Sequence, residues 1–388
     1  MRLLHVTTVP MTLTFLRGQV GYMKSRGVEV HALSSPGGQL SAFAAAEGVA
    51  AHDVEMPRRI TPARDLVALA RIARVLARVR PDVVHSHTPK GGLLGMLAAW
   101  LCRVPVRVYH LHGLPHVAAV GMKRRLLRAT EKVSCRLAHR VFCVSPSLLQ
   151  LAVAEQVCAP RKARVLAAGS ANGVDAAGRF DPARHDRRAA RAALALPADG
   201  LVVGFVGRVV RDKGVVELAG AWRWLRERFP GARLLIVGPL EPQDPVPRDV
   251  LQSLRSDPRV LLAGERDDTP PLYAAMDVLA LPSYREGFGV VNIEAAAMGL
   301  PVVATRVAGV VDAVVDGVTG TLVPPYDAAA LADAVSAYLS DPDLRRRHGA
   351  AGRARALQNF RPEAIWEALY GEYEQLLNAQ TRRQGNRL

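Results

Sequence analysis

The chain alternates short apolar runs with longer amphipathic stretches, which is the rhythm of strands followed by helices. Residues 2–8 read as a first strand and 28–34 as a second. An amphipathic helix over about 15–26 joins them, and Gly27 ends it. Residues 49–55 make a weaker third strand. Over 64–79, Leu66, Leu69, Ala73, Leu76 and Val79 recur at steps of three and four, with Arg71, Arg74 and Arg78 opposite, so a helix is predicted. A buried strand at 82–85, a helix at 93–102, strands at 106–111 and 141–145, a helix at 146–157 and a short strand at 165–168 complete this half. Small and turn-forming residues at 169–175 then break the rhythm. A second series opens with the strand 201–206 and the helix 215–229, followed by strands at 233–237, 260–263, 278–281 and 301–305. Helices at 327–339, 342–358 and 362–380 close the chain.

Strands alternating with helices imply right-handed crossovers and parallel sheets, and 388 residues exceed one typical core. The expected architecture is therefore α/β with two domains, 1–170 and 171–361. No run of about 18 apolar residues occurs, so no transmembrane helix is expected. The first residues enter a strand-like run without the apolar segment of a signal peptide. Cys102, Cys135, Cys143 and Cys158 show no C-x-x-C spacing and read as small core hydrophobes in a reducing compartment, which makes cytoplasm the expected location. The net charge of +16, with only six Lys among 51 basic residues, favours anionic partners without choosing among them.

Candidate chemistry concentrates at strand ends. In Pro282-Ser283-Tyr284-Arg285-Glu286-Gly287-Phe288-Gly289-Val290, an apolar strand stops at proline and two glycines permit a sharp turn. A helix then carries Glu294. Glu286 and Glu294 can face one cleft beside a helix N-terminus, where carboxylates accept from sugar hydroxyls and amides hold phosphate. A helix-capping Glu with a solvated neighbour is the plainer reading of that pair. In Gly207-Arg208-Val209-Val210-Arg211-Asp212-Lys213-Gly214, a strand, a glycine turn, two spaced cations and a helix start make a phosphate cradle.

The other half offers His85-Ser86-His87 and His110-Leu111-His112-Gly113. H-x-H with no adjacent acid is a weak zinc signal. The reading preferred is no metal, with His112 a hydrogen-bonding group at the cleft and His85 and His87 structural. Lys90 before Gly91 and Gly92 is a weak phosphate-holding signal. Over 122–141, Arg124, Arg128, Lys132, Arg136 and Arg140 fall at four-residue steps, with Leu126, Val133, Leu137 and Val141 assigned to the apolar face. This basic helix around 123–140 reads as a solvated surface or as one drawn to anionic lipid. Aromatics make up only 5% of the chain and are absent from the stripe, which argues against nucleic acid.

Taken together, Gly207-Arg208-x4-Lys213-Gly214 and Glu286-x7-Glu294 resemble the family 4 retaining glycosyltransferases of GT-B fold. The likeness extends to Asn172-Gly173-Val174-Asp175 and His112-Gly113. The stretches around Val6 to Pro10, His87 to Gly95 and Leu111 to Gly113 resemble bacterial members that build capsule, O-antigen or exopolysaccharide units on a polyprenyl-diphosphate lipid. The resemblance implies two Rossmann-like, doubly wound domains facing across a cleft. An acceptor-binding domain (1–170) would carry the last helix, about 362–380, packed back on it, and 171–361 would bind the nucleotide-sugar.

By the same resemblance Arg208 and Lys213, with Gly207, would neutralise the donor diphosphate, and Glu286 would hold sugar hydroxyls. The turn Gly287, Phe288, Gly289 and Val290 would meet sugar or phosphate oxygens, Glu294 the ribose, and Arg266 the base pocket. His112 would approach the donor sugar. Glu286, Lys213, Arg208 and His112 are thus the expected catalytic group of a metal-independent hexosyl- or N-acetylhexosaminyl-transferase. It would need no cofactor beyond a nucleotide-sugar, expected to be a UDP-sugar, and would act on a lipid-linked acceptor at the inner face of the membrane. The alternatives are a GT-B enzyme that uses a soluble acceptor or epimerises, and a non-catalytic nucleotide-sugar-binding scaffold. One departure stands out: the loop after the first strand, Val9-Pro10-Met11-Thr12-Leu13-Thr14, lacks the glycine pair of many members and has glycine only at Gly18.

Overall fold

The computed structural model describes residues 1–385. The chain divides into two compact units, Met1–Asn172 together with the chain from Pro362 onward, and Gly173–Arg361. In the first, β1 (Arg2–Val6), β2 (Glu29–Ser34), β3 (Ala50–Asp53), β4 (Val83–His87), β5 (Val106–Leu111), β6 (Arg140–Cys143) and β7 (Ala163–Arg164) form one sheet in the order β3-β2-β1-β4-β5-β6-β7. All its pairings are parallel. In the second, β8 (Val202–Val206), β9 (Arg233–Val237), β10 (Val260–Gly264), β11 (Val278–Leu281), β12 (Val302–Thr305) and β13 (Gly320–Val323) follow the order β10-β9-β8-β11-β12-β13, again parallel.

Each sheet reverses its winding once, between β1 and β4 and between β8 and β11. Such switch points open a crevice beyond the carboxyl ends of the strands, where ligands of doubly wound sheets bind. The central strands β4, β8 and β11 are fully buried because helices cover both faces; β8 and β11 are apolar throughout, whereas β4 also carries His85, Ser86 and His87. In the first unit Leu3, Val83, Val106, Val108 and Phe142 pack with Val20 and Met23, and with Ile365, Leu369 and Tyr373 of the last helix, Pro362–Gly385. Each such side chain contributes roughly 1.5–3 kcal/mol of burial.

Four sequence expectations need correction. The helix expected over 15–26 is a 3-10 segment, Pro10–Leu16, followed by a separate helix, Gln19–Ser25. The break falls at Gly18 (φ +74°), where an added Cβ would stand 2.7 Å from the Trp366 ring. This glycine therefore serves packing and does not replace the missing phosphate-loop glycines. The strand expected at 165–168 is Ala163–Arg164, and beyond it Ala167 turns with φ +47°. The basic helix expected around 123–140 ends at Leu137, and the strand expected from Val141 already begins at Arg140, pairing with β5. Finally, β13 was not anticipated; it joins the sheet edge beside β12.

Candidate functional site

In the second unit, β8 leads into Gly207, whose backbone is approached so closely by Gly238 that a Cβ on Gly238 would meet the Gly207 carbonyl oxygen at 1.9 Å. The chain then carries Arg208 outward, and its Nη1 donates to Glu241 Oε2 at 2.8 Å. A short 3-10 turn, Arg211–Lys213, leads to Gly214 in the left-handed region, which caps the helix Val215–Arg228. Only glycine fits at 214, since a Cβ would fall 2.0 Å from the Pro282 carbonyl oxygen. That contact brings the turn after β8 against the turn after β11.

The consequence is a direct ion pair between Lys213 Nζ and Glu286 Oε1, with Ser283 Oγ donating to the same oxygen at 2.8 Å. Neighbouring pairs brace the same two turns: Tyr284 N–H donates to the Asp212 carbonyl at 2.9 Å, and Arg285 pairs with Asp212 at 3.0 Å. Gly289 (φ +75°) caps the helix Val290–Ala297, and Gly309 presses on the Gly287–Phe288 backbone, where a Cβ would lie 2.5 Å from the Gly287 carbonyl oxygen. The Phe288 ring is buried and meets Phe360 edge-on at 5.4 Å, so only its backbone remains to offer a ligand. Val290 opens the helix whose first amides point out of that turn.

Glu294 lies further along the same helix and accepts from Tyr273 Oη at 2.7 Å. Burial raises its pKa above the usual carboxylate value, and the Tyr273 bond works the other way. Asn292, between the two carboxylates, is 1% exposed and its side-chain amide has no protein partner. Arg266 is exposed in the loop after β10. The structure thus joins Arg208, Lys213, Glu286 and the Gly287–Val290 turn at one switch point. Sequence reasoning missed Glu241, Tyr273 and Asn292; the first two come from segments with no motif of their own.

His112 belongs to the first unit. There His5, His85, His87 and His110 alternate inward on β1, β4 and β5, and His112 follows just beyond β5. The rings stack, with centroids 4.3 Å apart for His85–His87 and 4.6 Å for His110–His112. His5 Nδ1 lies 3.0 Å from His87 Nε2, and His87 Nδ1 lies 3.0 Å from His112 Nε2. His85 Nδ1 meets the Tyr373 hydroxyl of the last helix at 2.5 Å. The Phe15 ring stacks on His112 at 5.4 Å. Burial pushes all five pKa values down, to about 3 for His5 and about 4 for His112, so the rings are neutral near pH 7.

His85, expected to be structural, is not fully satisfied: its buried Nε2 has no partner, nor has Nδ1 of His110. Lys90 is not a free phosphate ligand either, because Asp65 Oδ1 holds it at 2.8 Å. The glycines beside it serve packing: a Cβ at Gly92 would overlap the Tyr109 ring at 2.2 Å.

The basic helix is Gly121–Leu137. Arg140 is not part of it, but sits on β6 and pairs with Glu372 at 2.9 Å. The face predicted to be buried is also corrected. Leu126 and Val133 are exposed, and the inward side is Glu131, Ser134 and Cys135. Tyr109 Oη donates to Glu131 at 2.7 Å, and burial lifts the Glu131 pKa to about 7. A shallow groove of about 490 Å³ runs along the outer side, lined by Arg124, Arg125, Arg128 and Lys132. Val120 and Met122 stand beside it, 84% and 75% exposed.

Residues 13–169 match the model of the glycosyl transferase 4-like domain, and residues 200–341 that of glycosyl transferases group 1. The chain is 32% identical over 377 residues to the capsular polysaccharide biosynthesis glycosyltransferase CapM of Staphylococcus aureus, covering 97% of each protein. Among solved structures it is similar to Anabaena Alr3699/HepE in complex with UDP and glucose (TM-score 0.80, 21% identity, 97% of this chain and 100% of that one). It is similar to a glycosyltransferase from Rickettsia africae as well (TM-score 0.79, 21% identity, 97% and 98%).

Proposed function

The chain belongs to the group 1, family-4-like glycosyltransferases of GT-B fold, and from that membership we propose that it moves a hexosyl or N-acetylhexosaminyl group from a UDP-sugar to a lipid-linked saccharide, with retention at the anomeric carbon. The observation that carries the donor half is the Lys213–Glu286 pair at the β8/β11 switch point, beside Arg208 and the first turn of the helix Val290–Ala297. In this reading the two carboxylates hold the cations until the donor arrives. The diphosphate then replaces Glu286 on Lys213 and Glu241 on Arg208, and Glu286 is released to accept hydrogen bonds from the sugar hydroxyls.

As the glycosidic bond breaks, charge grows on the leaving diphosphate, where Arg208, Lys213 and the turn amides stand as fixed donors. The acceptor hydroxyl attacks from the same face, and a donor phosphate oxygen takes its proton. Glu294, with Tyr273, binds the ribose hydroxyls, Arg266 borders the base, and His112 approaches the sugar. The leaving-group charge is met by the protein's own cations, so the transfer itself proceeds without a metal. The choice of uridine is supported by the solved fold relative that holds UDP and glucose. The capsular role of the S. aureus relative supports a surface-polysaccharide acceptor.

No helix among the described residues is long and apolar enough to cross a membrane. The cationic groove of Gly121–Leu137, flanked by exposed Val120 and Met122, supports peripheral attachment to an anionic inner-membrane surface. A thermal-shift screen with UDP, GDP and ADP, with and without magnesium, tests the donor half. A magnesium-independent rise with UDP alone is expected. No shift with any nucleotide would return weight to a non-catalytic scaffold.

A further inference from the structure

The histidine assembly has features that the transferase reading does not use. Each of its two triads, His5/His85/His87 and His87/His110/His112, offers three ring nitrogens within 4.8 Å of one another. Each also contains one buried ring nitrogen without a partner, on His85 and His110 respectively. We propose that His87, His110 and His112 form a site for one borderline divalent ion of the zinc class, bound through His87 Nδ1, His110 Nδ1 and His112 Nε2.

The geometry favours this. Three imidazoles on one tetrahedral ion, with metal–nitrogen bonds of about 2.0–2.1 Å, hold their nitrogens about 3.3 Å apart. His87 Nδ1 and His112 Nε2 are already 3.0 Å apart, so a small separation admits the ion. The ligating His87 also has an outer partner, since its Nε2–H can donate to His5 Nδ1 at 3.0 Å, which orients the ring and fixes its tautomer. Three neutral nitrogen ligands with no carboxylate suit zinc, cobalt or nickel and do not suit magnesium or calcium, which take oxygen.

The outer triad is preferred over the inner one because His112 is partly exposed, whereas His5, His85 and His87 are all buried. An ion there can be reached from solvent, and water can fill its fourth position. His87 is common to both triads, so one ion is expected and not two. Occupation would hold His112 as a donor at Nδ1, because its Nε2 would be on the metal.

The test uses the full chain after chelator treatment. Zinc is titrated by calorimetry, and cobalt is titrated by absorbance, since a tetrahedral site gives an intense visible band. One equivalent is expected. His110→Gln should weaken binding at least 100-fold, whereas His85→Gln should leave it within a few-fold; circular dichroism checks both folds, and His110→Asn stands in if glutamine disturbs the sheet. Absence of a stoichiometric zinc site in the wild-type chain would overturn the proposal. The opposite pattern, with His85→Gln abolishing binding and His110→Gln sparing it, would overturn the assignment to the outer triad.

Discussion

The switch point between β8 and β11 is lined with full charges, whereas the corresponding point between β1 and β4 is lined with neutral imidazoles. Arg208 and Lys213 each hold a carboxylate at the first, Glu241 and Glu286. At the second, His5, His87 and His112 are joined ring to ring beneath a sheet face that also meets Tyr373 of the last helix. The sheets are wound alike, so the difference lies in burial. Charges are tolerated at the β8/β11 end because they are paired and partly wet; the same charges under the last helix would lose their hydration. On the proposed function, the first end would exchange counter-ions with an incoming dianion, while the other offers hydrogen bonds and lone pairs.

The comparison breaks most severely if the charged end is discharged. Lys213→Ala should lower the transfer rate about 10³-fold, as expected for losing a fixed donor at a developing anion, and Glu286→Gln should do the same with the fold intact. Initial-rate assays of purified variants, with circular dichroism alongside, decide this. Near-wild-type turnover in either would dissolve the contrast.

The next effect concerns the neutral unit. Glu131 carries a pKa raised to about 7 by burial, above its unfolded value. A raised carboxyl contributes stability that is fully present below the unfolded pKa and is lost as pH rises from there to the folded pKa of about 7. The difference amounts to about 3 kcal/mol between pH 4.5 and pH 8. Glu131→Gln keeps an acceptor for Tyr109 and has no such titration. Melting curves of the two proteins should converge below about pH 4.5, separate as pH rises toward 7 and stay apart above it, with the variant the more stable. Parallel curves would show that Glu131 is charged inside this unit after all.

A smaller change is expected on the outer side of the same helix. Arg125 and Lys132 line its groove, and each basic residue near an anionic bilayer is worth about 1 kcal/mol. Arg125→Gln with Lys132→Gln should weaken binding to phosphatidylglycerol vesicles about 30-fold at low salt and leave neutral vesicles unaffected. Unchanged binding in flotation assays would detach this groove from the membrane.

Much of this was legible along the chain, for reasons that particular residues make plain. Both parallel sheets followed from apolar runs broken by amphipathic stretches. Arg208, Lys213, Glu286 and Glu294 were visible because each sits beside a glycine turn or a helix start that a strand leads into. Glu241 and Tyr273 were not, since their roles depend on which loops the fold folds together. The five-histidine face needed the strand order: His85 and His87 share a face by alternation, but His5 joins them only because β1 pairs with β4. Arg140 misled because a four-residue step continued across Ala138 and His139, where the helix had already ended. Leu126 and Val133 misled because apolar side chains were assigned inward, while Glu131 with Tyr109 took that place.

The finest distinction lies within the charged end, between a carboxylate proposed to exchange partners and one proposed only to bind. Glu294 is partly buried and has Tyr273 Oη as its protein partner at 2.7 Å, unlike Glu286, which holds a cation. Tyr273→Phe removes that bond. Burial is then opposed only by the more distant charge of Arg179, and the carboxyl holds its proton to a higher pH. Losing one hydrogen bond to a charged acceptor is worth about 1.5 kcal/mol, so donor KM should rise roughly tenfold while kcat stays within about twofold. The penalty should grow as pH falls, because a protonated Glu294 accepts less well from ribose hydroxyls. A fall in kcat with KM unchanged would mean that Glu294 acts as the glycosidic bond breaks, and the two carboxylates would then belong to one catalytic group.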